Sequence, residues 1–284
     1  MSIKKETVYL KIKKNTQIKR QILCMLDVLQ KTNTLTKGTI QLDFSKVDFI
    51  HPFFILPIHC LRNELKSKGI KLNLVNISKD TESYLDTISF EKGYRLGSKS
   101  KNQKPFNFYH NKNYIPIVSF STGFIGLNMS ESSNKETVLS KINSLLKRQL
   151  DLRGDYNIAM RYLISEMTDN IVEHARVKKG WVFAHFYREK GGFLDLCIVD
   201  NGHSILGSYD RIKAKNPKND IEAMELALQG VSTKGKERGY GIRTSRNMLE
   251  EGLKGNFIMI SGNAMLIEGN IIQMPTSCVV LFLP

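Results

Sequence analysis

Two kinds of hydrophobic spacing divide this chain. In the first third, short runs rich in β-branched residues alternate with longer stretches of helical period. Residues 8–12 predict a strand, 17–31 an amphipathic helix, and 38–44 a second strand. Residues 54–67 predict a helix stopped at Gly69, 71–75 a third strand, and Ser78 caps a helix running to Thr87. Strands separated by helices predict an α/β unit with a mainly parallel sheet over residues 1–96. Residues 97–113 are polar, basic and poor in aliphatics, the pattern of a linker or surface loop. A connecting strand is expected at 114–120 and an amphipathic helix at 134–150, so the chain divides into 1–96, a linker and connecting strand at 97–133, and a second domain at 134–284.

The second domain opens with a helical pattern from Asp155 to Ala175. Ala159, Leu163, Met167, Ile171 and Ala175 recur at fourfold spacing and predict its core stripe. Glu166, Asn170 and His174 repeat at the same spacing one residue earlier, about 100° round the helix. A carboxylate and an amide therefore stand at the margin of the buried face, where an exposed polar row and the wall of a pocket are both compatible with the pattern. Glu173 and Asp169 read as solvated helix charges, and His174 as structural.

Two strands follow at 181–188 and 193–199, joined by Glu189-Lys190-Gly191-Gly192, a tight-turn composition. The second runs into Asp200-Asn201-Gly202, an acid at a strand end followed by a glycine that permits close backbone approach. Downstream, Gly230 to Arg243 holds Gly239 and Gly241 just before a helical stretch at 243–251. Glycines there leave backbone N–H groups to face an anion, and Lys234, Lys236, Arg238 and Arg243 add positive charge nearby. Residues 203–238 form a long, polar connection between these motifs, and 275–284 predict a terminal buried strand.

Composition excludes several classes. Of the 284 residues 41% are hydrophobic and 24% charged, as in a globular protein with ample core. The first residues lack the pattern of a secretory leader. The most apolar run, 49–61, is broken by His51, Pro52, Pro57 and His59, and is too short to span a bilayer. The expectation is a cytoplasmic protein with no membrane partner. Cys24, Cys60, Cys197 and Cys278 are scattered, with no zinc or disulfide spacing. The net charge of +15 allows a nucleic-acid partner, though no recognised nucleic-acid motif accompanies it.

The ordered set Glu166-x3-Asn170, Asp200-x-Gly202, Gly239-x-Gly241 and Thr276 resembles the GHKL superfamily of ATP-binding domains, over about residues 135–284. The superfamily includes histidine kinases, gyrase-type topoisomerases, a heat-shock chaperone, mismatch-repair ATPases and anti-sigma serine kinases. The resemblance implies a two-layer α/β sandwich with a mixed, largely antiparallel sheet. It implies ATP and Mg²⁺ as ligands, with Asn170 on the metal and Glu166 as general base. Asp200 would accept from the adenine amino group with Gly202 packed near the base, while Gly239 and Gly241 wrap the phosphates, Lys234 adds charge to their loop and Thr276 supports the adenine end. The connection at 203–238 corresponds to a lid over the phosphates. Two positions depart from the pattern: His203-Ser204 stands where a second glycine is usual, and Pro275 where a glycine usually precedes the threonine.

Residues 42–50, the helix after them and the strand from Gly69 resemble the STAS fold of anti-sigma-factor antagonists over about 60 residues. His51-Pro52-Phe53 stands where switched relatives carry a phosphorylatable hydroxyl, so a docking, regulatory or oligomerising role is implied. The resulting expectation is an ATP-dependent regulatory protein, hydrolase or serine/threonine kinase, that changes its hold on a protein partner and could pair as a homodimer. The competing expectations are a non-catalytic nucleotide-dependent binding module and a defence-type ATPase acting on nucleic acid.

Overall fold

A computed structural model of the chain describes residues 5–12, 18–33, 38–96, 103–123, 135–150, 154–188, 192–212, 217–231 and 241–283. The alternation in the first third folds as its pattern requires. Strands β1 (Lys5–Ile12), β2 (Thr39–Val47) and β3 (Lys71–Val75) lie in chain order in one parallel sheet, with Val8 beside Leu42 and Leu42 beside Leu74. Helices α1 (Ile18–Asn33) and α2 (Pro52–Ser67) make the crossovers that parallel strands need. Pro52 stands at the start of α2, where no N–H is required of it. Helix α3 (Lys79–Thr87) is capped by Ser78, whose hydroxyl accepts from the Thr81 N–H at 3.2 Å.

The second sheet holds β4 (Tyr114–Ser121), β5 (Lys179–Tyr187), β6 (Phe193–Val199), β7 (Ile258–Ile267) and β8 (Asn270–Leu283). Its order is β4-β5-β6-β8-β7 and every neighbouring pair is antiparallel. The molecule is thus mixed α/β, with one parallel and one antiparallel sheet. The strand expected as a connection, β4, is an edge strand of the second sheet.

Side chains of that sheet point alternately into two cores. Trp181, Phe183, Cys197 and Val199 pack with α1 and α2, whereas Val182, Ala184, Leu196 and Ile198 pack with α4 (Lys135–Leu150) and α5 (Gly154–Asn170). Burial on both faces explains why β5 and β6 read as nearly continuous apolar runs instead of alternating ones. It also explains α2, whose residues 52–61 are buried all round because a sheet lies on either side.

Two stretches differ from their polar appearance. Within 97–113, Phe106–Asn111 forms a 3-10 turn, and Tyr109 is buried with its hydroxyl donating to the Thr87 carbonyl at 2.8 Å. Within 203–238, α6 (Ile205–Ile212) and α7 (Asp220–Leu228) precede α8 (Gly241–Asn247). Asn219 caps α7 by accepting from the Glu222 N–H at 2.9 Å, and Asp220 accepts from the Asn263 N–H of β7 at 3.0 Å. Ala223, Met224 and Ala227 are buried, so the described part of the expected lid is packed helix. Residues 213–216 and 232–240 lie outside the described residues.

Among the described residues, Cys24, Cys60 and Cys197 form no disulfide. Also among them, no helix is long and apolar enough to cross a membrane.

Candidate functional site

The site is built on α5. Leu163, Met167 and Ile171 of the expected stripe are buried beneath the second sheet, and Ala159 is half-buried. This packing leaves the row Ile158, Tyr162, Glu166 and Asn170 along the margin. The helix ends in a single π-turn, Ile171–Ala175, closed by Arg176 at φ +52°. A wide turn of this kind shifts the following backbone outward, and such turns concentrate at functional positions.

That π-turn receives the end of β6. The His203 N–H donates to the Ala175 carbonyl at 2.8 Å. Gly202 lies against the same carbonyl so closely that a Cβ would stand 2.0 Å from its oxygen. No side chain fits there without moving backbone, which accounts for glycine at this position. Asp200 and Asn170 are therefore carried on two segments locked together through Ala175.

Asp200 is 7% exposed, and its Oδ1 accepts from the Gly202 N–H at 2.7 Å. Burial pushes its carboxyl up to about 7, against the opposing pull of that N–H. Asn170 is half-buried, and among the described residues its Nδ2 is buried without a hydrogen-bond partner. An unmet donor of this kind is unfavourable and calls for a ligand or water.

Glu166 is half-buried and meets the start of α8. A Cβ on Gly241 would stand 2.4 Å from Glu166 Oε2. Tyr162, one turn back, has its hydroxyl raised by burial and by the Glu166 charge, with a hydrogen bond from Thr244 acting the other way. The fourfold row that holds Asn170 and Glu166 extends back to Tyr162 and Ile158 and is the sequence's signal for Tyr162, whereas Thr244, on α8, has none.

Glu166, Asn170, Asp200, Gly202 and Gly241 are thus brought together around the C-terminal half of α5. Thr276 lies on β8, four residues before Val280, which pairs with Val199 at the end of β6. Lys234 and Gly239 lie outside the described residues. His174 sits in the π-turn 4.0 Å from the Glu173 carboxylate. A groove of about 530 Å³ runs along α8, lined by Arg243, Thr244, Asn247, Met248, Glu251 and Gly252. Neither Asp200 nor Asn170 lines it, so it adds a surface beside the site and not the site's interior.

Among the described residues, no cluster of three His, Cys, Asp or Glu side chains is placed to hold a metal by itself. One amide beside one carboxylate suits a hard cation whose remaining ligands come from phosphate and water, the usual manner of Mg²⁺.

A second polar cluster lies on the opposite face of the same sheet. His51, at the N-terminus of α2, bonds Asp195 Oδ2 through Nδ1 at 3.0 Å, and Asp195 is 3% exposed. Tyr84 bonds His185 Nδ1 at 3.0 Å, and Asn113 reaches His185 Nε2 at 3.1 Å. The His185 ring stacks on Tyr187 at 4.3 Å. Burial, with His51 adding, lowers the His185 pKa to about 4.

No family model, curated protein or solved structure matches the chain.

Proposed function

We propose that residues 134–284 form an ATP-binding domain of the GHKL kind, and that residues 1–96 are a STAS-like regulatory unit acting on it. The single observation that carries the reading is that the Gly202–Ala175 contact fixes the segment of the buried Asp200 carboxyl against the end of the helix bearing Asn170, whose Nδ2 is buried without a partner among the described residues. A buried acid at a strand end suits the hydrogen-bonding edge of a flat base, and an amide with a buried, unmet donor at the end of the adjoining helix suits the polar end of the same ligand. In this reading Asp200 holds the adenine amino group, Thr276 supports it, and Gly239, Gly241 and Lys234 surround the phosphates. Asn170 ligates Mg²⁺, which when bound neutralises phosphate charge. Glu166 takes the proton from the attacking oxygen, either water or a protein hydroxyl.

The regulatory half of the proposal draws on β6. Asp195 bonds His51 of the N-terminal unit, and Asp200 stands five residues on, just past the end of the same strand. A shift of β6 on nucleotide binding is therefore felt at the His51 contact. This supports a protein whose nucleotide-bound and free forms offer different surfaces to a protein partner. To test the activity, purified protein is incubated with γ-labelled ATP and candidate partners. Free phosphate identifies a hydrolase and label on a partner hydroxyl a kinase. Loss of both in Glu166→Ala, with nucleotide affinity kept, supports the assigned base; loss of affinity contradicts it.

A further inference from the structure

Parallel sheets are ordinarily covered on both faces. Among the described residues, the three-stranded sheet here is covered on one. In β1 the residues Val8, Leu10 and Ile12 are buried, while Tyr9 and Lys11 between them are exposed, Tyr9 to 70%. The same alternation exposes Lys71 and Asn73 of β3 around buried Leu72, and Lys46 of β2 beside buried Val47. The register sets these side chains in rows across the open face. Thr7, Gln41 and Asn73 form one row, Tyr9, Asp43 and Val75 the next, and Lys11 lies opposite Lys46 beyond a bulge. With strands about 4.8 Å apart, the platform is about 10 Å wide.

The chemistry of this face is specific. One exposed aromatic ring, Tyr9, stands on the edge strand β1, the amides of Gln41 and Asn73 lie in the neighbouring row on β2 and β3, and lysines stand at both ends of the rows, Lys71 at one and Lys11 with Lys46 at the other. Its acid, Asp43, accepts from the Ser45 N–H at 2.8 Å and from Asn76 Nδ2 at 2.7 Å, so much of its charge is met within the protein. Apart from Asp43 the described charges of the rows are all positive, in a chain of net charge +15. An apolar peptide or helix would find little to bury on such a face, and an extended polyanion with stackable rings would find both of its features matched.

We infer that the open face of the three-stranded sheet binds single-stranded nucleic acid. A base stacks on Tyr9, Gln41 and Asn73 meet base edges, and Lys11, Lys46 and Lys71 meet phosphates. The inference stands on this face alone and does not depend on the nucleotide site.

The test is fluorescence anisotropy of the full chain with labelled 15-mers of oligo(U) and oligo(dT), a 15-bp duplex, and heparin as competitor. Single strands are expected to bind at low salt. Tyr9→Ala is expected to weaken them by about tenfold, as loss of one stacked base does, while Tyr9→Phe restores binding. Lys11→Glu with Lys71→Glu should weaken binding further and flatten the salt dependence by about 1 to 1.5 in log–log slope. Lys141→Glu with Lys147→Glu, exposed on α4, should change little. All replaced residues are exposed, and circular dichroism verifies folding. No single-strand binding at low salt overturns the inference. So does binding that the sheet-face variants leave intact. Equal binding of duplex and heparin with Tyr9→Ala silent overturns it too, leaving only a general attraction for acidic polymers.

Discussion

Gly241 at the start of α8 lies so close to Glu166 of α5 that a methyl group there would stand 2.4 Å from the carboxylate oxygen. The obstructing atom is the end of a flexible side chain, so an added methyl displaces the carboxylate and leaves the backbone where it is. Gly241→Ala is therefore expected to lower turnover by about 10²-fold, as a displacement of about 1 Å in a catalytic group does. Melting temperature should change little. Steady-state phosphate release and thermal melting separate the two effects.

Gly202 presents the opposite case. An added methyl would lie 2.0 Å from the backbone carbonyl oxygen of Ala175, and the adjacent His203 N–H bonds that same oxygen. Gly202→Ala must move either the π-turn or the end of β6. Denaturant melts should show a loss of about 1 to 3 kcal/mol, the usual cost of overpacking. Nucleotide binding should weaken with it, because Asp200 and Asn170 lose their relative placement.

Asp200 makes stability depend on pH. Its folded pKa, about 7, lies above its unfolded value, so the folded state holds more protons between roughly pH 4 and 7. The contribution is complete below about pH 4 and is lost as pH rises through 7. Asp200→Asn keeps an acceptor for the Gly202 N–H and removes the charge. Its stability relative to the parent should rise across that window, read from urea melts at pH 4, 5.5 and 7.5. His59 works in the other direction. Buried, with Nδ1 donating to the Phe90 carbonyl and Nε2 accepting from Asn63, it is neutral, with its pKa lowered to about 4 chiefly by burial. Its share of stability is lost as pH falls from about 6.5 towards 4.

The His51–Asp195 bond joins the N-terminus of α2 to β6 of the second sheet, and it is measurable as a coupling. A double-mutant cycle with His51→Ala and Asp195→Asn should give about 1 to 3 kcal/mol of interaction at pH 7, the range for buried bonds to a charged group. Additive effects would mean the two residues are held by their surroundings and not by each other.

Most of the elements were legible because their periods are strong. The fourfold stripe Leu163, Met167 and Ile171 marks α5, and Ser78 marks the start of α3 through a cap that the structure retains. Strand β7 went unread, since burial on both faces removes the alternation that identifies a strand. Helices α6 and α7 were hidden in a stretch that Lys213 to Asp220 makes look polar. The capping Asn219 and the spacing Ile221, Met224, Leu228 carried the signal for α7. At the site, Glu166, Asn170, Asp200 and Gly202 were legible as chemistry. The contacts that unite them were not, because Gly202 on Ala175 and Gly241 on Glu166 are meetings of distant segments that no local pattern encodes. Tyr109 was misjudged for a similar reason: a buried ring within a basic stretch is visible only once Thr87 stands opposite it.

The central claim is a purine nucleotide held between Asn170 and Asp200. Isothermal titration of folded protein with ATP and ADP, each with and without Mg²⁺, measures it directly. The account predicts saturable binding at one site per chain, strengthened by Mg²⁺ for ATP and lost in Asp200→Ala, whose melting curve shows it folded. Absence of binding heat for both nucleotides, confirmed at a second temperature, would contradict it.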